Sequence, residues 1–251
     1  MRIYREIEVW GTVLIIDIES KNLSEIQLEI ALSKVNEFVH HIDEVFSTYK
    51  SDSIISKLRR NEIEIWQTSD EVKEVWNLCE KTKRLTNGAF DPWAVPGGFD
   101  PSGLVKGWAA DKSAEILLSH GVAHILINAA GDLTLRGGRI EDGEIKPWLI
   151  GITDPNKSEN IVKTFEILDG AIATSGDYER GDHIKDPQNG MVAVGAKSAT
   201  VIGPSGAITD ALATALMVAG SDGATWFTQP ELFGYQPWVI NRHDATSWSI
   251  D

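Results

Sequence analysis

The chain has 251 residues and a formal net charge of −14. That is long enough to bury a substantial core, and the sign argues against nucleic acid and anionic membrane surfaces, which are gripped through basic patches. Its single cysteine, Cys79, excludes an internal disulfide and any multi-cysteine zinc or iron–sulfur centre.

Residues 1–8 hold no apolar signal-peptide core, and no run of about 18 apolar residues follows. The expectation is a cytoplasmic protein without a membrane span, although an exported form with its leader removed would read the same. Residues 7–19 read as one strand. Ser24 then caps a long helix, with Gln27 spaced to complete a capping box. The apolar stripe of that helix is expected to be Ile26, Ile30, Val35, Phe38, Ile42, Val45 and Phe46. A second helix follows Ser69, burying Val72, Val75, Trp76 and Cys79, and stops at Asn87-Gly88. A third follows Gly103 and ends near His120-Gly121. Short strands come next, at 123–128, 133–136, 147–152, 162–167, 171–174, 192–194 and 198–202, punctuated by Gly, Asp, Asn and Pro. A helix over 207–219 and two more strands, around Trp226 and Val239, complete the chain. Without a linker or repeat, this predicts an α+β fold in one domain, 1–251: a mostly antiparallel sheet with helices packed against it.

With the overall field repelling anions, an anionic ligand needs local positive groups, a metal ion or a helix N-terminus. Several segments offer these. In the alanine-rich run 206–220, Asp210 and Thr214 are four residues apart and share one helix face. A carboxylate beside a hydroxyl suits a hard cation such as Mg²⁺. A helix cap at Asp210 and a hydroxyl back-bonding to its own turn at Thr214 account for the same pair. The turn 86–92, Thr-Asn-Gly-Ala-Phe-Asp-Pro, is either punctuation or a place where Phe90 and open backbone face a ligand. In 99–111 an Asp-Pro-Ser-Gly turn opens into a helix, a usable phosphate seat. Lys106 lies in its first turn, where a cation opposes the dipole, so either an anion is nearby or the lysine is solvated. The P-loop spacing is absent. Small residues crowd 127–133, as a close backbone approach or a hairpin turn would require. Of six histidines, His183 lies in a polar loop between strands, where a general base is usually found. His120 and His124 are split by Gly121 and make no metal pair. His40, His41 and His243 read as surface or satisfied core residues.

Taken in order, these segments resemble the ApbE family of flavin transferases. Its Gly-Ala-Phe-Asp-Pro turn is matched by residues 88–92, and its Gly-x-x-Lys-Gly-Trp/Tyr-Ala-x-Asp element by 103–111. Its Asn-x-x-Gly-Asp turn is matched by 128–132, Thr-Ser-Gly-Asp-Tyr by 174–178, His-Ile-x-Asp-Pro from His183, and Asp-Ala-x-x-Thr-Ala from Asp210. The chain departs from the pattern Asp-Ser-Glu-x-Ser-x-Leu-Asn, where Ile54 and Arg59 stand in place of Glu and Asn. It departs also at Ala130, where a glycine is common.

The resemblance implies an ApbE-like, T-fold-related α+β architecture and a Mg²⁺-dependent FAD:protein FMN transferase. Asp210, Thr214 and the carbonyl of Gly103 would bind Mg²⁺. Gly88, Ala89, Phe90, Asp100, Lys106, Ser175 and His183 would contact FAD, with His183 as the acid–base group. A Thr or Ser hydroxyl of an acceptor protein would receive FMN, and AMP would leave. Hydrolysis of FAD to FMN and AMP in the same site, and flavin binding without catalysis, are the alternative expectations.

Overall fold

The structure, a computed structural model, describes residues 1–176, 184–244 and 246–250. Strands β1 (Arg2–Val9) and β2 (Thr12–Glu19) form an antiparallel hairpin. The single strand expected over 7–19 is thus two, broken at Trp10-Gly11. Both turn residues have positive φ, 57° and 68°, the left-handed pair that a two-residue hairpin turn requires.

Helix α1 (Glu25–Phe46) begins in the capping box read from the sequence: the Gln27 amide donates to Ser24 Oγ, and the Gln27 side chain accepts from the Ser24 amide. Its first two turns were misassigned. Ile26 and Ile30 are exposed, whereas Leu28, Ala31, Leu32 and Val39 are buried together with Val35, Ile42, Val45 and Phe46. At about 100° per residue, Ile26 and Ile30 fall opposite Val35, so the coherent stripe runs through Leu28 and Leu32.

A short helix, α2 (Ile54–Arg59), was not anticipated. Helix α3 (Asp70–Leu85) buries Val72, Val75, Cys79, Thr82 and Leu85, with Trp76 only partly covered. Helix α4 (Ser102–Ser119) follows. Then come β3 (His124–Ala129), β4 (Asp132–Arg136), β5 (Arg139–Glu141), β6 (Glu144–Lys146), β7 (Trp148–Asp154), β8 (Lys157–Ile167), β9 (Gly170–Gly176) and β10 (Ala196–Gly203). Helix α5 (Gly206–Ala219), β11 (Gln236–Asn241) and β12 (Ser247–Ser249) complete the described elements named here. Two expected strands are absent. Val192 makes only an isolated bridge to Lys185, and Trp226 lies in a 3₁₀ segment, Gly220–Thr228. The first stretch is short and lies between Gly190 and Gly195, and the second runs from Gly220 and Gly223 to Pro230, residues that weaken or interrupt a ladder.

Eight strands form one antiparallel sheet in the order β1-β2-β3-β4-β9-β10-β11-β12. The α+β architecture with a mostly antiparallel sheet is therefore as expected. Alternation along the strands sends Ile16, Ile125, Ile127, Ala173 and Val201 toward α1, α4 and α5. Leu126, Leu133, Leu135 and Ile172 pack on the other face against Trp148, Ile152 and Ile167 of the β7–β8 hairpin. Helix α4 rests on β3 and β4 and α5 on β9 and β10, and since β4 and β9 are neighbours the two helices lie side by side. Side chains from the two helices therefore meet.

Candidate active site

The α4–α5 pair owes its closeness to two glycines. A Cβ on Gly107 would run into the carbonyl of Gly206, and one on Gly206 would lie 2.7 Å from the carbonyl of Gly107. With the backbones this near, Lys106 reaches across to Asp210: Nζ donates to Oδ2 at 3.2 Å and lies 2.9 Å from Asp132 Oδ2. Asp132 enters from the β3–β4 turn, where Ala130 and Gly131 have positive φ and the Gly131 amide donates to Asn128 Oδ1 at 2.7 Å. The anion that the position of Lys106 called for is thus supplied by the protein itself.

One ammonium between two buried carboxylates leaves a residual negative charge. Burial alone would lower the pKa of Lys106, but the charges of Asp132 and Asp210 outweigh it and hold the lysine protonated. Burial pushes the Asp210 carboxyl up, the charge of Asp132 adds to this, and Lys106 offsets only part of it. A cation brought to this carboxylate gains a poorly compensated charge in a low-dielectric setting.

Thr214, one turn beyond Asp210, does not back-bond to its own helix in the described contacts; its Oγ1 lies 3.4 Å from Ser175 Oγ at the end of β9. The same hydroxyl is 3.5 Å from where a Cβ on Gly103 would sit, and Phe90 Cε2 is 3.3 Å from that point. Gly103 has non-helical torsions, so α4 enters through an irregular first turn against Thr214 and Phe90. No group of three or more His, Cys, Asp or Glu among the described residues is placed to hold a metal. A cation here would rely on one carboxylate and neutral oxygens, a donor set that fits a hard divalent ion keeping several waters.

A cleft is lined by Ala89, Phe90, Asp100, Gly103, Lys106, Ser175, Asp210 and Thr214, so eight of the ten site residues read from the sequence come together. Gly88 does not line it. With φ of +83° and open space around its Cβ position, it serves the turn that aims Phe90 inward. His183 lies outside the described residues. The free-amide phosphate seat also needs correction. Asp100 Oδ1 already accepts from the Ser102 amide at 3.0 Å, and the Leu104 amide donates to the Pro101 carbonyl at 2.9 Å.

Sequence reasoning missed Asp132, Thr174 and the outer wall. Thr174 lines the cleft and shares a 2.9 Å hydrogen bond with Thr200. The wall includes Asp91, Pro92 and Val95 and is pinned by rings: Trp93 stacks on Phe99 at 5.2 Å, and Trp76 packs on both. Arg59, at the departure from the family pattern, donates to the carbonyls of Pro96 and Gly97 and lies 3.8 Å from Asp100. No tryptophan lines the cleft among the described residues; its aromatic face is Phe90. Two sequence signals pointed toward Asp132: the Asn-x-x-Gly-Asp turn that ends on it, and the anion that the position of Lys106 called for.

An antiparallel α+β sheet whose two helices join a shared lysine, paired carboxylates and neutral oxygens in one cleft defines a protein whose site offers oxygen donors to a hard cation. The chain belongs to the ApbE family, whose profile matches residues 10–98 and 95–234. A Vibrio cholerae protein named FAD:protein FMN transferase is 37% identical over 76% of this chain and 73% of its own length. A Klebsiella pneumoniae protein of the same name is 35% identical over 52% of this chain, a match that spans 39% of that protein. The flavin transferase ApbE structure from Vibrio cholerae superposes with a TM-score of 0.85 at 22% identity, covering 100% of this chain and 96% of that one, which supports the fold.

Proposed function

We propose that this chain is a Mg²⁺-dependent FAD:protein FMN transferase, moving FMN from FAD to a Thr or Ser hydroxyl of an acceptor protein and releasing AMP. The observation that carries this reading is the meeting of Lys106, Asp210, Thr214 and Gly103 in one cleft of an ApbE-family chain. Asp210, Thr214 and the Gly103 carbonyl would hold the ion, which supplies Lewis-acid charge at the diphosphate of the bound dinucleotide. Lys106, paired with Asp132 and Asp210, offsets part of the carboxylate charge that would otherwise repel the phosphates. Phe90 and Ala89 offer an apolar face to the flavin part of the substrate, and Asp100 and Ser175 accept or donate hydrogen bonds at its polar groups.

In the transfer, the acceptor oxygen forms a bond to the FMN phosphorus, the bridging P–O bond breaks, and AMP leaves with that electron pair. The hydroxyl proton goes to His183. The segment carrying this histidine joins Gly176 to Ile184, and both of those residues line the cleft. An imidazole with an ordinary pKa of about 6.5 takes such a proton near neutral pH.

Incubation with FAD, Mg²⁺ and an acceptor carrying a Ser/Thr flavinylation motif, read by intact mass, tests the proposal. Covalent FMN on the acceptor is the expected product. Free FMN alone would assign hydrolysis instead, and FAD left intact would leave only flavin binding.

A further inference from the structure

Asp111 lies outside the cleft, yet it is a junction of the elements that build it. It sits on α4 five residues after Lys106, its side chain largely buried. Its Oδ2 accepts from the amide of Gly206, the first residue of α5, at 2.7 Å and from Ser205 Oγ at 3.2 Å. Its Oδ1 accepts from Thr134 Oγ1 of β4 at 3.0 Å and lies 3.5 Å from Arg136 Nη2. Arg136 in turn donates to the carbonyl of Gly170, where β9 begins.

The N-cap residue of α5, Ser205, makes no side-chain cap of its own. The carboxylate that caps this helix is lent by α4. Such a contact satisfies an orphan amide and complements the helix dipole, but it does more than a cap from within α5 would do. It fixes the start of α5 against α4 at the same crossing where Gly107 meets Gly206. Asp210 follows one turn after Gly206 and Thr214 one turn after that, so a slide of α5 carries both away from Gly103 and Lys106. α4 therefore grips α5 at two points, Asp111 on the Gly206 amide and Lys106 on Asp210.

We propose that Asp111 is a positioning residue for the divalent-cation site, setting the axial register of α5 on α4 so that Asp210 and Thr214 face Gly103. This rests on the reading of that site under the proposed function. A plain cap and a register clamp differ in one respect: a cap can be replaced from within α5, and a clamp cannot.

The test compares wild type, Asp111→Ala and Asp111→Ala/Ser205→Asp, the last giving α5 a carboxylate of its own. Thermal melting reports the cap. Titration with Mn²⁺ followed by electron paramagnetic resonance, with and without FAD, reports the site without relying on turnover. The double variant is expected to regain melting temperature while binding Mn²⁺ about tenfold or more weaker than wild type, the range seen when outer-shell support of a metal site is lost. Asp111→Ala, where it folds, should show the same weakening. Recovery of Mn²⁺ affinity together with melting temperature in the double variant would reduce Asp111 to a cap and overturn the proposal. Mn²⁺ affinity at the wild-type value in folded Asp111→Ala would overturn it too. If wild type itself binds no Mn²⁺ in either condition, the metal site of the proposed function falls, and this inference with it.

Discussion

Gly107 of α4 and Gly206 of α5 pass backbone against backbone, with no room at either for a single methyl group. That contact sets how far Lys106 must reach to Asp210, and so connects two residues of ordinary helical sequence to the charge pattern of the cleft. Replacing Gly107 with Ala must push the helices apart. The expected loss is about 3 kcal/mol, the upper part of the range for overpacking, with transfer activity falling alongside. Chemical denaturation of Gly107→Ala checks this, and wild-type stability would contradict the crossing.

Lys106→Met leaves Asp132 and Asp210 facing one another without their shared cation. Removing one partner from a buried ion pair costs about 3 kcal/mol or more. The loss should depend on pH in a definite direction. Burial and Asp132 already raise the folded-state pKa of Asp210, and without the lysine it rises further. A carboxyl whose folded pKa exceeds its unfolded value favours folding below the unfolded pKa and loses that contribution as pH rises through the folded one. Denaturation of the variant should therefore show a smaller deficit at about pH 5 than at about pH 8. An equal deficit at both would contradict the shared-charge arrangement.

Asp210→Ala should fold, because Lys106 keeps Asp132 as its partner. Its transfer rate should fall by about 10²–10³-fold and no longer respond to Mg²⁺, as expected when charge stabilisation at the reacting phosphate is removed. Steady-state rates across a Mg²⁺ series decide the matter. Turnover still stimulated by Mg²⁺ in this variant would refute the assignment.

Cys79 is fully buried in α3, and burial pushes its thiol pKa up, with the negative charges of Asp100 and Asp210 adding to the effect. The thiolate is the reactive form, so a disulfide reagent at neutral pH should leave the native protein unlabelled and react once denaturant unfolds it. Rapid labelling of the native protein would mean that the α3 packing is more open than described.

Much of this was legible in one dimension. The capping box at Ser24 and Gln27 is a local contact, set by residues three apart. The Asp210–Thr214 pair follows from helix periodicity, and the turn carrying Phe90 from its Asn-Gly signal. Where several faces of a helix are apolar, as at Ile26 and Ile30, the pattern alone did not choose the buried one. The break at Trp10-Gly11 was missed because strand-forming residues flank it on both sides. Asp132 was passed over because its partner lies in a different element, 26 positions away in α4.

The sequence by itself determined which residue types are available: hard oxygen donors one turn apart, a lysine at a helix entrance, small residues at turns, and a formal net charge of −14. Only the tertiary structure decided which of them meet. Sheet order made β4 and β9 neighbours, which placed α4 beside α5. The two glycines then let the helices close, and Lys106 found Asp132 and Asp210 while Asp111 found the Gly206 amide. The physical reason is that local propensity acts over one or two turns of chain, whereas a buried charge is held by groups brought together by packing from distant positions, each compensating the desolvation of the others.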